Sequence, residues 1–457
     1  MVRKGALVIL AAGIQAAKAV FLDATLRNDW TSTLSKANRS YLYPSVSLSW
    51  VISDMLDRRF NALPDALSFF KVRASYATVG NDMSPYQLYN IYKMGSDPNG
   101  YPTIGPGSSI LYDDNVKNEL IKSWEAGLDI RFFDNRVGLD VSWYRSDATN
   151  QLINLPISSV AYSYKKINAG DIRNQGWEVV LNTEPVRTPD FLWRSTVNFS
   201  TNKNLILDLA DGVSEYGLGG YDNLRIVAKV GGEYGDIYGT KYARVEDENS
   251  PHYGKLILNS DGLPTSGGTD YLGNQNPVAN VGWINTFNYK NFTLGFQIDG
   301  RIGGKMFSGT LGSMENSGTA AWTVEGRDKM IVEGVQKDGD NYVVNTTETT
   351  AQKYWQQIAG RAGGNLGITE ENLYDATNFR LRNVNLSYSL PKRLLSRSNV
   401  FQSVKFGVSC TNVVMLYSKM RGLDPESIFA TNTNATGFEY GAAPTSRCYV
   451  FNVSFGF

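Results

Sequence analysis

The feature that most constrains this chain is an alternation of apolar and polar residues with a period of two, recurring from Phe21 to Phe457. A strand turns successive side chains to opposite faces, whereas a helix would need apolar spacings of three and four. In FTLGFQIDGR, Phe292, Leu294, Phe296 and Ile298 share one face, and Thr293, Gly295, Gln297, Asp299 and Arg301 share the other. WEAGLDIRF sets Trp124, Ala126, Leu128, Ile130 and Phe132 against Glu125, Gly127, Asp129 and Arg131; RVGLDVSWY sets Val137, Leu139, Val141 and Trp143 against Gly138, Asp140, Ser142 and Tyr144. Asp134-Asn135 between these two is a short turn signal, which makes them a hairpin. PSVSLSWVI (Val46, Leu48, Trp50 and Ile52 away from the serines), FKVRASYA and the C-terminal CYVFNVSFGF repeat the contrast. Roughly thirteen such segments can be counted, the rest near 21–27, 176–182, 192–200, 234–245, 278–289, 383–390 and 404–411.

Alternation alone also suits a soluble β-sandwich array or solenoid, with the apolar face on a core. Segment length and residue type favour a membrane wall. Many segments hold about 9 to 11 residues, the span of a tilted strand across a bilayer. The chain carries 26 Tyr, 20 Phe and 9 Trp, and Tyr or Trp recur toward segment ends, as an interfacial girdle requires. Connections are tight at 133–136 and 289–292 but long at 80–122, 205–235 and 305–377, the pattern of short turns on one rim and long loops on the other. The predicted fold is all-β: an antiparallel transmembrane β-barrel of which about 13 to 14 strands are present. Within the longest loop, TAQKYWQQIAGRA has the make-up of a short helix.

One strand breaks phase. In NFRLRNVNLSYSLPK, Val384, Leu386, Tyr388 and Leu390 are apolar on one parity, yet Arg380 and Arg382 share that parity while Phe379 and Leu381 do not. Either a bulge near Asn383 re-aims the strand, or the arginines sit above the bilayer at the rim; the adjoining long loop favours the rim.

Composition excludes several function classes. Lys plus Arg and Asp plus Glu number 44 each, so no net field draws the chain to nucleic acid. With one histidine, His252, and two cysteines, Cys410 and Cys448, neither a His/Cys zinc site nor a disulfide framework can be assembled, and no cofactor is expected. Cys410 shares parity with Phe406 and Val408 and Cys448 with Asn452, so both are predicted to be free thiols. No GxSxG, GxxxxGK[ST] or HExxH motif occurs, and catalysis is not expected. GRAGGNLG at 360–367 lacks the lysine and the strand-to-helix setting of a phosphate loop and reads as a flexible loop, and Asn259-Ser260-Asp261-Gly262 reads as a turn and not a calcium loop. Glu125 and Asp129 beside Arg131 read as ion pairs of the wall and not as glycosidase carboxylates.

Residues 1–20 stand apart from the pattern: Arg3 and Lys4, an apolar middle and Ala17-Lys18-Ala19 suit either a secretory leader or an unrelated upstream segment, leaving 21–457 as the barrel portion.

FLDATLRNDWTSTL, YLYPSVSLSWVISD, KVRASYATVGN, KSWEAGLDIRFFDNRVGLDVSWYRSDATNQLI, NAGDIRNQGWEVVLN, LGNQNPVANVGWINTFNYKNFTLGFQIDGRIGGKMF, NFRLRNVNLSYSLP and MRGLDPE, taken in order, resemble the barrel of the SusC/RagA TonB-dependent outer-membrane transporters over about Phe21 to Phe457. The resemblance implies location in the outer membrane of a Gram-negative bacterium. It also implies import of glycans or oligopeptides with a SusD-like surface lipoprotein, and coupling to TonB through an N-terminal part not seen in this sequence. Members of the class have about 22 strands, so this stretch is expected to be a C-terminal portion that does not transport alone; a surface adhesin acting through its long loops is the alternative. The same resemblance makes Tyr449, Phe451, Val453, Phe455 and Phe457 the terminal-strand signal read by the barrel-assembly machinery. Among loop residues, Trp322, Tyr342 and Trp355 are candidates to stack on sugar rings.

Overall fold

Thirteen long strands are found among the described residues, and all but the first carry the alternation. The structure, a computed structural model, describes residues 5–16, 19–60, 62–360, 366–396, 400–429 and 433–457. They divide into two compact units, one built on 1–216 with 230–232 and 282–290, the other on 217–229, 233–281 and 291–457. The first unit holds β1 (Gly5–Ala16), β2 (Val20–Thr31), β3 (Ser40–Val51), β4 (Leu67–Asn81), β5 (Glu119–Phe132), β6 (Val137–Thr149), β7 (Asp171–Arg187), β8 (Phe191–Asp208) and most of β9 (Ala279–Tyr289). The second holds β10 (Phe292–Ile302), β11 (Asn378–Ser389), β12 (Ser403–Ser418) and β13 (Cys448–Gly456). Within each unit strand order is chain order and the pairing is antiparallel, an unbroken meander. No helix among the described residues is long and apolar enough to cross a membrane, which says nothing of strands.

The registers make the two faces continuous from strand to strand. Trp50, Val72, Leu128, Val141, Val179 and Phe199 are successive partners across β3 to β8 and form one apolar row. One residue along, Ser49, Arg73, Gly127, Ser142, Glu178 and Ser200 form the parallel row on the other face. Because the side-chain period is two, a slip of one residue anywhere would exchange the rows, so each hairpin inherits its register from its neighbour. The tight turns bear this out locally. Phe133, Asp134 and Asn135 all take left-handed backbone angles between β5 and β6, and Lys290 does so between β9 and β10; Asp and Asn are the side-chain types that tolerate that region best.

Connections alternate. In the first unit 52–66, 133–136 and 188–190 are short, while 82–118 and 150–170 are long; in the second, 390–402 is short while 303–377 and 419–447 are long. The predicted helix forms as α1 (Ala351–Ile358), its N-terminus capped by the Thr350 hydroxyl, which accepts from the Lys353 N–H. Asn259 closes the predicted turn by accepting from the N–H groups of Asp261 and Leu263, with Gly262 left-handed. Of the 360–367 glycine run, 361–365 lie outside the described residues.

Four sequence expectations are revised. Tyr234–Val245 is not a wall strand: Tyr234–Tyr242 pairs in a loop sheet with Leu224–Lys229 and Ser266–Asn274, where Ile237 and Asp236 on opposite faces are both buried. A strand buried in protein on both sides cannot supply a lipid-facing row. At the other end, Gly5–Ala16 is a strand paired with β2 over its whole length, Leu10 against Leu26 and Gly13 against Asp23. The face that continues β2's polar row carries Ile9, Ala11 and Gly13 opposite Arg27, Thr25 and Asp23, with no charge of its own, which hid the period of two. Ile52, read as the last apolar residue of its strand, instead opens a helical turn, Ile52–Met55.

The fourth revision is the phase break. Gln297 pairs with Asn383 and Ile298 with Leu381, so Arg382 is the extra residue of a bulge, and β12 answers with its own irregularity at the same place. The bulge shifts parity by one: Leu381 and Phe379 rejoin the apolar row beside Ile298 and Tyr417, and Arg380 falls opposite Asp299. The strand is thus re-aimed, and no rim position is needed to explain the arginines.

Cys410 and Cys448 are free; Cys410 pairs with Tyr449 on the apolar row, and Cys448 pairs with Thr411 on the polar one. A charged maleimide is therefore expected to label Cys448 in the membrane-embedded protein at least tenfold faster than Cys410, measured on the single-cysteine variants Cys410→Ser and Cys448→Ser. Equal rates would contradict the assignment of faces.

Candidate functional site

In the first unit the polar row is held by ion pairs that span strands. Asp129 and Asp140 are direct cross-strand partners, a pairing of like charges that destabilises a sheet unless each is neutralised. Arg131 neutralises Asp129 at 2.8 Å, and Arg73 reaches across β5 to place both terminal nitrogens 2.9 Å from the Asp140 carboxylate. The reach depends on Gly127, where a Cβ would stand 2.8 Å from the Arg73 guanidinium carbon. On the opposite face, in line with Val141 and Trp143 but beyond them toward the 150–170 loop, Asp147 accepts from Arg173 at 2.6 Å and from Arg145 at 3.0 Å. Glu125 meets Arg73 at 3.4 Å, so Glu125, Asp129 and Arg131 are members of an ion-pair ladder, as read from the sequence. The wall is wet and of mixed sign.

The second unit contains an interlocked charge cluster of its own. Once the bulge has turned Arg380 to the polar face, its guanidinium is enclosed, the side chain only 4% exposed, and pairs with Asp424 at 2.5 Å and Glu426 at 3.2 Å. Arg382 bonds Asp299 at 2.8 Å and Glu426 at 2.5 Å, and its other terminal nitrogen donates to Asn412. Asp424 also accepts from the Thr445 hydroxyl, which ties both ends of the 419–447 loop to β11. Burial would raise the Asp424 carboxyl, but the bonds from Arg380, Thr445 and the Glu426 N–H outweigh it and hold the group at about 2. Beside this clasp lies a cleft of about 400 Å³ lined by Arg380, Asn412, Met415, Asp424, Thr445 and Arg447. Sequence reading singled out none of these as a site. The two signals were nevertheless present: the parity break flagged Arg380 and Arg382, and MRGLDPE supplies Asp424 and Glu426.

The three aromatic candidates stand in three different environments and are not gathered into one site. Trp322 donates its ring N–H to Glu315 at 2.8 Å and is covered by the Arg421 guanidinium 5.1 Å from its ring centre. Glu315 is itself fully buried and pushed up by that burial, though Asn372 and Trp322 donate to it. Trp355 packs with Tyr354 against Tyr242, Ile358 and Ile368. Tyr342 sits opposite Lys337 in the hairpin Val335–Asp338 and Asn341–Val344. Trp322 and Trp355 are engaged as loop anchors. Phe307, Phe438 and Tyr440 extend the anchoring as a stack with ring planes within 9°.

Tyr449, Phe451, Val453 and Phe455 all lie on the apolar row of β13, opposite Cys410, Val408, Phe406 and Val404, and each is at least half exposed. Phe401 lies 5.4 Å from the rings of both Phe455 and Phe457.

Residues 8–308 match the family described as TonB dependent receptor-like, beta-barrel. The chain belongs to that family. Among curated relatives, TonB-dependent receptor P3 of Formosa agariphila is 26% identical over 471 residues, covering 95% of this chain and 43% of its own length. TonB-dependent receptor SusC of Bacteroides thetaiotaomicron is 25% identical over 421 residues, 88% of this chain and 39% of its own. The SusC/RagA resemblance is thereby upheld. Of solved structures, the RagAB peptide transporter superposes over 100% of this chain and 48% of its own with a TM-score of 0.75 at 19% identity, a likeness of fold. The chain thus spans less than half the length of these relatives.

The charge clasp makes a signed prediction. A carboxylate held below its unfolded value stabilises the fold above the ordinary Asp range, and that stabilisation fades as pH falls through about 2. Protease protection of the 419–447 loop is expected to persist at mildly acidic pH. Asp424→Asn is expected to destroy it at neutral pH, by on the order of 3 kcal/mol for uncovering an enclosed arginine. Unchanged cleavage of the variant would show that the clasp does not hold the loop.

Proposed function

We propose that this chain forms the C-terminal part of the barrel of an outer-membrane importer of glycans or oligopeptides in a Gram-negative bacterium, acting as a transport protein and not as an enzyme. The observation that carries the reading is the pair of continuous rows, apolar on one face and ion-paired on the other, across β3 to β8 of a family member. One row suits lipid contact and the other an aqueous path. The relatives' names supply the rest of the reading: receptors that depend on TonB, and a RagAB importer described in open-open and closed-closed states. On this reading a SusD-like surface lipoprotein works at the long-loop end, outer-membrane lipid surrounds the apolar row, and TonB acts through sequence N-terminal to this stretch. Tyr449, Phe451, Val453, Phe455 and Phe457 serve as the signal for the barrel-assembly machinery. The adhesin alternative draws no support from these relatives.

Uptake of radiolabelled oligosaccharides and of radiolabelled oligopeptides by cells with and without the gene tests the reading. Loss of one of the two uptakes, restored by the gene in its native locus and abolished again by deleting TonB, is expected. Undiminished uptake of both without the gene would overturn it.

A further inference from the structure

In the first unit a cleft of about 410 Å³ opens between the 82–118 and 150–170 loops, lined among others by Leu88, Tyr89, Tyr112, Asp113, Asp114 and Lys165. Tyr89 stands 61% exposed at its edge, yet the backbone that presents it is fixed on both sides. Leu88 is buried in a cluster with Leu34, Met83 and Val116. Asn90 makes two bonds to the backbone of Tyr112, donating to its carbonyl at 3.0 Å and accepting from its N–H at 2.8 Å. Gln87 is held by Lys166 at 2.8 Å. The ring is therefore presented to water by a pinned segment, which leaves its face open at the cleft.

The polar groups of the cleft are arranged as both acceptors and donors. Asp113 is steered by the Asn115 N–H at 2.9 Å and by Lys165 at 3.3 Å, and Lys165 is placed opposite Leu111 by parallel pairing of Tyr164–Asn168 with Ile110–Tyr112. Asp114 is exposed beside them. An aromatic face attracts the weakly positive C–H groups of a flat apolar surface, while paired carboxylates and an ammonium supply acceptors and donors for adjacent hydroxyls. A cationic side chain would find Asp113 already paired with the Lys165 ammonium, and a purely apolar ligand would strand Asp113, Asp114 and Lys165 without hydration.

We propose that this cleft is a saccharide-binding subsite: one residue of a neutral oligosaccharide lays its C–H face on Tyr89, donates hydroxyls to Asp113 and Asp114 and accepts from Lys165. It deepens the import reading by giving the long-loop end a first point of capture. It is separable from that reading, because equilibrium binding requires no uptake.

The test is isothermal titration of the whole 457-residue protein in detergent with α-linked and β-linked glucose hexasaccharides, and with tetralysine as a cationic probe. At least one hexasaccharide is expected to bind with a Kd of about a millimolar or tighter, as an open site with a single ring allows. Tyr89→Ala is expected to weaken it at least tenfold, Asp114→Ala severalfold, and Tyr89→Trp to retain it. Absence of binding by both hexasaccharides, binding indifferent to Tyr89→Ala, or Tyr89-dependent binding of tetralysine would each overturn the proposal. Failure of uptake with intact hexasaccharide binding would count against the import reading alone.

Discussion

Hydrocarbon offers a polypeptide no hydrogen-bond partner, and each backbone N–H or C=O left unpaired there costs several kcal/mol. A chain that crosses lipid in strands must therefore satisfy every strand by its neighbours, and register becomes a property of the whole meander. The rows running from Trp50 to Phe199 and from Ser49 to Ser200 are the consequence. Apolar side chains accumulate on one face along the middle of the strands, where lipid contact makes charge most costly, and charges such as Arg145, Asp147 and Arg173 join that face only beyond Trp143 and Trp177, toward the long loops. On the other face the charges are ordered by one another: Asp129 and Asp140 can be direct partners only because Arg131 and Arg73 are aimed at them, and Arg73 gets there only over Gly127.

The bulge at Arg382 is where this constraint meets a second demand. A strand in strict register would carry Arg380 and Arg382 into the apolar row. One extra residue returns Leu381 and Phe379 to that row and delivers two guanidinium groups to Asp299, Asp424 and Glu426. The wall thereby gains an anchor for the 419–447 loop. A local break in pattern that looks like a fault in the strand is what couples wall to loop, a role bulges fill where a strand must re-aim side chains.

The wall strands were legible in the sequence because membrane strands write their environment onto every second residue. Where a strand lacks that contrast, as in Gly5–Ala16 with Ile9, Ala11 and Gly13 opposite Arg27, Thr25 and Asp23, the period disappears although the pairing does not. The converse occurs at Tyr234–Tyr242, whose alternation reflects a small protein core formed with Leu224, Ile226 and Phe307 and not a bilayer. The candidate site was less legible, since Arg380 and Asp424 are 44 residues apart and meet only through the fold. Loop aromatics are hard to rank from sequence for a related reason: Trp322 bonds Glu315 beneath Arg421 and Trp355 packs with Tyr354 against Ile358, contacts that no local pattern announces, and Tyr89, held out by its pinned neighbours, drew no notice.

The central claim is that lipid and water faces alternate along each wall strand and that the alternation slips by one residue at Arg382. Spin labels placed singly at each position of Asn378–Ser389 in the bilayer-embedded protein, with collision rates measured against oxygen and against a water-soluble nickel chelate, read the two faces directly. Oxygen maxima at Phe379, Leu381, Val384, Leu386 and Tyr388, with the phase reversing between Leu381 and Val384, are the predicted result. An unbroken period of two through Arg380 and Arg382, or no periodicity at all, would contradict the account.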